Sequence, residues 1–373
     1  MLQHVNIICL NVPYPVDMGI NFESFYKIKA LHQIGVSIHL HCFIYGSQVE
    51  QPTLLQYCTS VTYYQRTKAI SVALPYIVSS RHSKALEANL LLNNYPIIMD
   101  GIHTSAIVGN PQFANRKLIV RALNVEYLYY RGLAKAATFG LHKLYYAIES
   151  IRPGGLQQYE KRIAKQCTIS TLSPYDYKHF TQILKATAVT NIPIFYESEF
   201  TCKVGLGSYC LYQGNLSVAE NEAAVIWLLQ NVFDYVSSPL IIAGKNPSKH
   251  LTETVKRYKN CTLIANPTNV EMLTLITDAQ INVLPSINAT GVKLKLLQAL
   301  YNGRHCITNA NGAASFEQPN LFTIATKGSD CITDIIMLMQ QPFTQQHIND
   351  RLTLLQQTYN SVTNAHQLIK CLQ

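Results

Sequence analysis

From Tyr209 onward the chain repeats one pattern, a short apolar run closed by glycine or a polar turn and followed by a segment of helical periodicity. YCLYQG (209–214) leads into apolar spacing over Ala219–Phe233, and PLIIAG (239–244) into a polar helix over 247–258. CTLIAN (261–266) leads into a helix over 269–278, and INVLPS (281–286) and HCITN (305–309) continue the series. Short apolar runs without polar alternation are strands buried on both faces. Strands alternating with helices are parallel strands joined by crossovers, so the pattern predicts a Rossmann-like α/β layer structure.

The first half opens the same way. VNIICLNVP is a strand, apolar residues from Phe22 to Ile34 fall at helical spacing, and VSIHLHCFI is a second strand after Gly35. YPIIMDG (95–101), RKLIVRAL (116–123) and CTISTLS (167–173) read as later strands, with a long helical region over 125–165. A chain of 373 residues is long for one core, and domains of about 150–200 residues are the natural division. The boundary falls near 195–206. The fold class is therefore α/β, two doubly wound domains facing across a cleft.

Composition excludes several classes. With 48% apolar and 14% charged residues the chain can bury a large core and is not disordered. Ten cysteines fall singly, with no C-x-x-C, which argues against a zinc site or a disulfide framework and for a reducing cytoplasm. No metal is expected. The N-terminus MLQHVNIICL lacks a basic leader and reads as a first strand, and the longest apolar stretch, Ile70 to Val78, is too short to span a bilayer. The protein is expected to be cytoplasmic, with peripheral attachment to the inner membrane face left open. Residues 1–200 carry 18 Lys/Arg against 11 Asp/Glu and residues 201–373 carry 12 against 10, so most of the formal +9 sits in the first half. Such an excess suits an acidic partner, whether lipid, nucleic acid or a phosphorylated substrate, or serves only solubility.

The stretch INATGVKLKLLQALYNG (287–303) puts two lysines, Lys293 and Lys295, in the first turn of a helix expected over about 292–302. The amino end of a helix is already positive, so cations there are disfavoured unless an anion is held. At the carboxyl end of a strand in a doubly wound domain, this is where phosphate binds on free N–H groups. Thr290 could cap the helix, Gly291 allows close backbone approach, and Gly303 suits the position after its end. The alternative is an ordinary amphipathic helix with solvated lysines and Leu294, Leu297 and Tyr301 facing the core. Lys295, two positions on, is expected to point elsewhere.

PYPVDMGINFESFYKIKALHQIGVSIHLH resembles the opening of the large retaining "group 1" glycosyltransferases. PLIIAGKNP and INATGVKLKLLQALYNGRHCITN resemble the second domain of that family, in the subset with G-x-K in the donor-phosphate loop. The likeness covers roughly 205–315 in order and spacing, fairly 5–45, and thinly 50–200. It implies the type B fold, an N-terminal acceptor-side domain (1–198), a nucleotide-sugar-binding domain (199–345) and a final helix (346–373) returning to the first. It also implies a nucleotide-sugar donor, a glycan or lipid-linked acceptor, a place in polysaccharide biosynthesis and no nucleic acid. Donor-binding residues carried over are Gly19, Asn215, Thr290, Gly291, Val292, Lys293 and Gln298. Lys245 in AGK is a second candidate for phosphate charge. Thr290 and Gln298 stand where the family usually has two glutamates, Asn215 where an arginine is common, and Ile20 where the family has a second glycine beside Gly19.

His103, in DGIHTS, falls where the family often has a histidine near the donor sugar. Asp100 and Glu126 are the nearby carboxylates that inverting chemistry would use as base, and with His103 they form the candidate catalytic set. Arg121 could face phosphate or be an ordinary ion-pair residue. Retaining transfer by front-face attack needs no protein nucleophile, only stabilisation of the leaving diphosphate. Residues 123–165 hold six tyrosines and seven Lys/Arg against three acids. They read either as a packed helix pair with a solvated face or as a membrane-surface face meeting a lipid-linked acceptor. A nucleotide-sugar epimerase and a non-catalytic sugar-nucleotide or glycan-binding protein of the same fold are the alternatives.

Overall fold

The computed structural model describes residues 3–16, 19–68, 70–137 and 140–373. Three stretches quoted above therefore include positions outside the described residues: Met1 and Leu2 in MLQHVNIICL, Asp17 and Met18 in PYPVDMG, and Thr138 and Phe139 in the 125–165 region.

The first sheet contains β1 (His4–Cys9), β2 (Ser37–Ile44), β3 (Ser60–Gln65), β4 (Ile97–Asp100), β5 (Leu118–Ala122), β6 (Thr168–Thr171) and β7 (Ala188–Asn191). The second contains β8 (Cys210–Asn215), β9 (Leu240–Lys245), β10 (Cys261–Ala265), β11 (Ile281–Val283), β12 (His305–Thr308) and β13 (Thr323–Ile324). Their spatial orders are β3-β2-β1-β4-β5-β6-β7 and β10-β9-β8-β11-β12-β13, and the paired strands are parallel throughout. In each sheet the order reverses beside the first strand, which opens a crevice at the carboxyl ends of β1 and β4, and of β8 and β11. The two-domain α/β expectation holds.

The central strands were legible because they are apolar on both faces. Ile7, Ile8, Ile38, Leu40, Ile97 and Ile98 are all fully buried. Strands β3 and β7 lie at the sheet edges, mostly half-buried, and carry no apolar run for a sequence reading to find.

Two helical expectations change. The 125–165 region is three helices, Glu126–Ala136, Leu141–Ile151 and Leu156–Ile163, broken at glycines. The single closing helix is two. Gln345–Thr358 packs on the second domain through Leu355, and after a break at Tyr359–Asn360 the helix Ser361–Lys370 packs Ala365, Leu368 and Ile369 into the core of the first. The chain thus crosses between domains twice, once between β7 and β8 and once at this break.

Candidate active site

The loop between β11 and the helix Leu294–Asn302 meets the first domain directly. Gly291 has φ +72, and a Cβ there would lie 2.0 Å from Asn124 Oδ1, so both its conformation and its neighbour require glycine. The helix begins two residues later than expected, with Lys293 at the N-cap position. Thr290 does not cap it. Its hydroxyl donates to Asp176 Oδ1 (2.7 Å) and accepts from the Val125 amide, while Gly291 N–H donates to Asp176 Oδ2 (2.9 Å). A first-domain carboxylate therefore holds the second domain's loop. Gly303 has φ −98, so left-handed freedom is not its role; a Cβ there would lie 2.3 Å from Asn282 Nδ2.

Beside this contact lies a cavity of about 260 Å³ lined by Asn124 and Tyr129 from the first domain and by Glu220, Asn288, Lys293 and Lys295 from the second. Lys293 Nζ donates to Asn288 Oδ1 (2.8 Å) and Thr290 O (2.6 Å). Lys295 does not point elsewhere. Its Nζ donates to Tyr212 Oη and Asn221 Oδ1, both at 3.0 Å, and Lys295 lines the same cavity as Lys293. Among the described residues neither lysine is in an ion pair. The nearest acid, Glu220, is engaged by Asn288 N (3.1 Å), Asn288 Nδ2 (2.6 Å) and Ser286 Oγ (3.3 Å). Burial lowers the pKa of both lysines, Lys295 to about 8, against the opposing pull of Glu220. Two desolvated cations without a carboxylate partner are costly in an empty cavity and favourable to an anion entering it.

Of the other donor candidates, Val292 lines this cavity and a neighbouring one of about 220 Å³, which Gly19 and Ile20 also line. A Cβ on Gly19 would lie 2.9 Å from Leu294 Cδ1, so this glycine lets the amino ends of two helices approach across the cleft. Asn215 and Lys245 are exposed neighbours at the ends of β8 and β9, and the structure does not bring them to the lysines. Asn215 Oδ1 instead accepts from Ser217 N and Oγ. Gln298 is half-buried one turn into the helix and lines neither cavity.

The catalytic candidates separate. Asp100 is fully buried, ion-paired with Lys27 and accepting from Ser24 Oγ (2.7 Å) and Cys9 Sγ (3.3 Å). It is structural, and the expectation of a base there is corrected: its proton-accepting atoms are already occupied inside the domain. Arg121 is likewise internal, paired with Glu23 Oε1 (2.7 Å) and donating to the Ile192 and Pro193 carbonyls. The ion-pair alternative is the one observed.

Glu126 opens the helix that carries Tyr129, and its carboxyl is pushed up to about 7. Burial is the main cause and the Asp176 charge adds, against a bond from Asn124 Nδ2. His103 sits on the turn Ile102–Thr104 that follows β4 and Gly101. Its buried Nδ1 has no hydrogen-bond partner among the described residues. Burial, then the charges of Arg81 and Arg66, hold the ring well below its usual range, so it is neutral.

Sequence reading missed Asn124, Tyr129, Glu220 and Asn288. Each is a common residue type whose role depends on a partner from a distant element. Glu220, in the first turn of its helix, looks like an ordinary partner for the helix dipole.

Two Rossmann-like domains thus face each other across a cleft, with Lys293 and Lys295 at the start of the helix that follows β11. Residues 207–340 match the family model "Glycosyl transferases group 1". That segment is similar to the glycosyltransferase domain of the family. A 44.6 kDa protein in the cps region of Klebsiella pneumoniae is 24% identical over 338 residues, 84% of each chain. Among solved structures, sucrose-phosphate synthase from Thermosynechococcus elongatus superposes with a TM-score of 0.66 at 14% identity, covering 99% of this chain and 94% of that one. AviGT4, a glycosyltransferase involved in avilamycin A biosynthesis, gives 0.58 at 13% identity, covering 99% and 96%.

Proposed function

We propose that the chain transfers a sugar from a nucleotide-sugar donor to a saccharide acceptor, free or lipid-linked, with the donor diphosphate held by Lys293 and Lys295. The observation that carries this is the pair of desolvated ammonium groups facing one cavity without a carboxylate partner. As the glycosidic bond breaks, negative charge accumulates on the leaving diphosphate, and fixed cations in a water-poor cleft favour that state over the intact donor. Lys293, Lys295 and the helix amino end would supply this, and Thr290 and Gly291 are freed for donor contacts when Asp176 lets go. If the acceptor attacks from the face the diphosphate leaves, the leaving group itself can take the acceptor proton and the anomeric configuration is retained.

Glu126 favours a second reading. Its carboxyl, pushed up to about 7, accepts from Asn124, which lines the lysine cavity, and a group of that kind reaching the acceptor would act as a general base and give inversion. The anomer formed on a defined acceptor decides between the two. An epimerase would need acid–base groups reaching a sugar C–H bond, and Asp100 is locked away from that task. The first test is thermal stabilisation by a panel of nucleoside diphosphates and their sugars, then turnover with and without acceptor. Absence of stabilisation by every diphosphate would remove the reading. Binding without turnover would leave a sugar-nucleotide-binding protein.

A further inference from the structure

The helix Leu141–Ile151 is turned the wrong way for a soluble surface. Leu141, Leu144, Ile148 and Ile151 follow one another at spacings of three, four and three, a single helical stripe, and are 86%, 57%, 47% and 60% exposed. The tyrosines expected to form such a face point inward instead: Tyr130 and Tyr159 are buried, and Tyr145 and Tyr146 pack edge-on or tilted against their neighbours at 5.5–6.1 Å. Aliphatic side chains, not aromatic ones, meet the solvent.

A second segment extends the stripe. Val72 is 89% exposed, and its loop is fastened at the end of the helix by Arg152, whose guanidinium donates to the carbonyls of Val72 (3.2 Å) and Leu74 (2.9 Å). The helix has one carboxylate, Glu149, and it is turned inward to Arg152 Nε (2.6 Å) and the Tyr76 amide. The charged residues that flank the stripe along the chain are cations: Lys135, exposed in the last turn of the preceding helix, and Lys143, half-buried within this one.

We infer that this stripe is a membrane-insertion face that seats the first domain on an anionic bilayer. At 11 residues the helix is about 16 Å long, so it can lie in the interface but cannot cross it. Charge selects the occupant. A second copy of the chain would bring the same lysine border against itself, whereas anionic headgroups neutralise it. The helix Glu126–Ala136, against which Leu141–Ile151 packs, carries Tyr129 into the lysine cavity, so docking holds the cleft within about two helix diameters of the surface. That the acceptor is then carried in the bilayer rests on the glycosyl-transfer reading; the docking does not.

Co-sedimentation with phosphatidylglycerol–phosphatidylcholine vesicles tests it. The wild type should bind at low salt and keep part of its binding at about 1 M salt, where screening acts over about 3 Å and only apolar insertion survives. Leu144→Ser with Ile148→Ser should weaken partitioning by about tenfold or more. Both positions are exposed, so the melting curve should not move. Lys135→Glu with Lys143→Glu should weaken binding at low salt only. Three results would overturn the inference: wild type left in the supernatant at low salt, unchanged binding by the serine variant, or a solution dimer that the serine pair dissolves while vesicles are ignored. Nucleoside-diphosphate affinity, measured in each variant, reports separately on the donor-site reading.

Discussion

Both domains bury lysines, and they do so in opposite ways. In the first, Lys27 is closed in by Asp100 and Glu23, and Glu23 also pairs with Arg121, so each charge is answered within the domain. In the second, Lys293 and Lys295 are held by neutral oxygens of Asn288, Thr290, Tyr212 and Asn221. Burial is common to both sites; what separates them is whether a carboxylate neutralises the charge.

The largest expected effect comes from opening the closed network. Lys27→Met leaves Asp100 buried without its cation and should cost about 3–5 kcal/mol of stability by denaturant unfolding. A loss below about 1 kcal/mol would break the contrast. The lysines of the second domain should behave in reverse. Lys295→Met removes an unpaired buried charge, so stability should hold or rise, while nucleoside-diphosphate binding by calorimetry weakens by about 1.5–3 kcal/mol. Lys293→Ala should weaken binding by a similar amount with the fold intact. Unchanged affinity in both variants would remove the diphosphate assignment.

Titration sharpens the comparison with smaller effects. The Lys295 pKa is lowered by burial to about 8, below the unfolded value of about 10.4. Between those values the unfolded chain binds the proton that the native state has lost, so stability of the empty protein rises with pH through this window. Diphosphate affinity should fall over the same range as the ammonium is lost, and Lys295→Met should flatten both curves. Glu126 acts in the opposite sense at lower pH. Its folded pKa of about 7 exceeds the unfolded value of about 4.3, so stability falls as pH rises between them. Glu126→Gln should make that slope shallower without removing it, because burial also raises the carboxyls of Glu160 and Asp176; an unchanged slope would assign it to those two groups.

The sheets were legible because central parallel strands must be apolar on both faces, and Lys293 stood out as a candidate because a cation at a helix amino end conflicts with the local dipole. Lys295 was misjudged because its neighbours Tyr212 and Asn221 lie 83 and 74 residues away, beyond any local periodicity. Asp100 failed for the same reason: its partner Lys27 is 73 residues distant, and a carboxylate at a strand end looks the same whether it faces the cleft or the core. The Asp176 contact had no local signal, being made across the domains to Thr290 and Gly291.

The double crossing of the chain has a mechanical consequence. A body attached to another at one point can swivel freely, whereas attachment at two points leaves a single rotation about the line joining them. The linker between β7 and β8 and the joint at Tyr359–Asn360 are such points, each anchored on both sides by buried side chains: Ile192 and Cys210 flank the linker, Leu355 and Leu368 the joint. Each opening of the cleft would then retrace one arc and return Thr290 to Asp176 in register. About three glycines inserted after Tyr359 should leave both cores folded yet broaden the interdomain distances seen by paired spin labels; an unbroadened distribution would mean that the cleft contacts alone set the path.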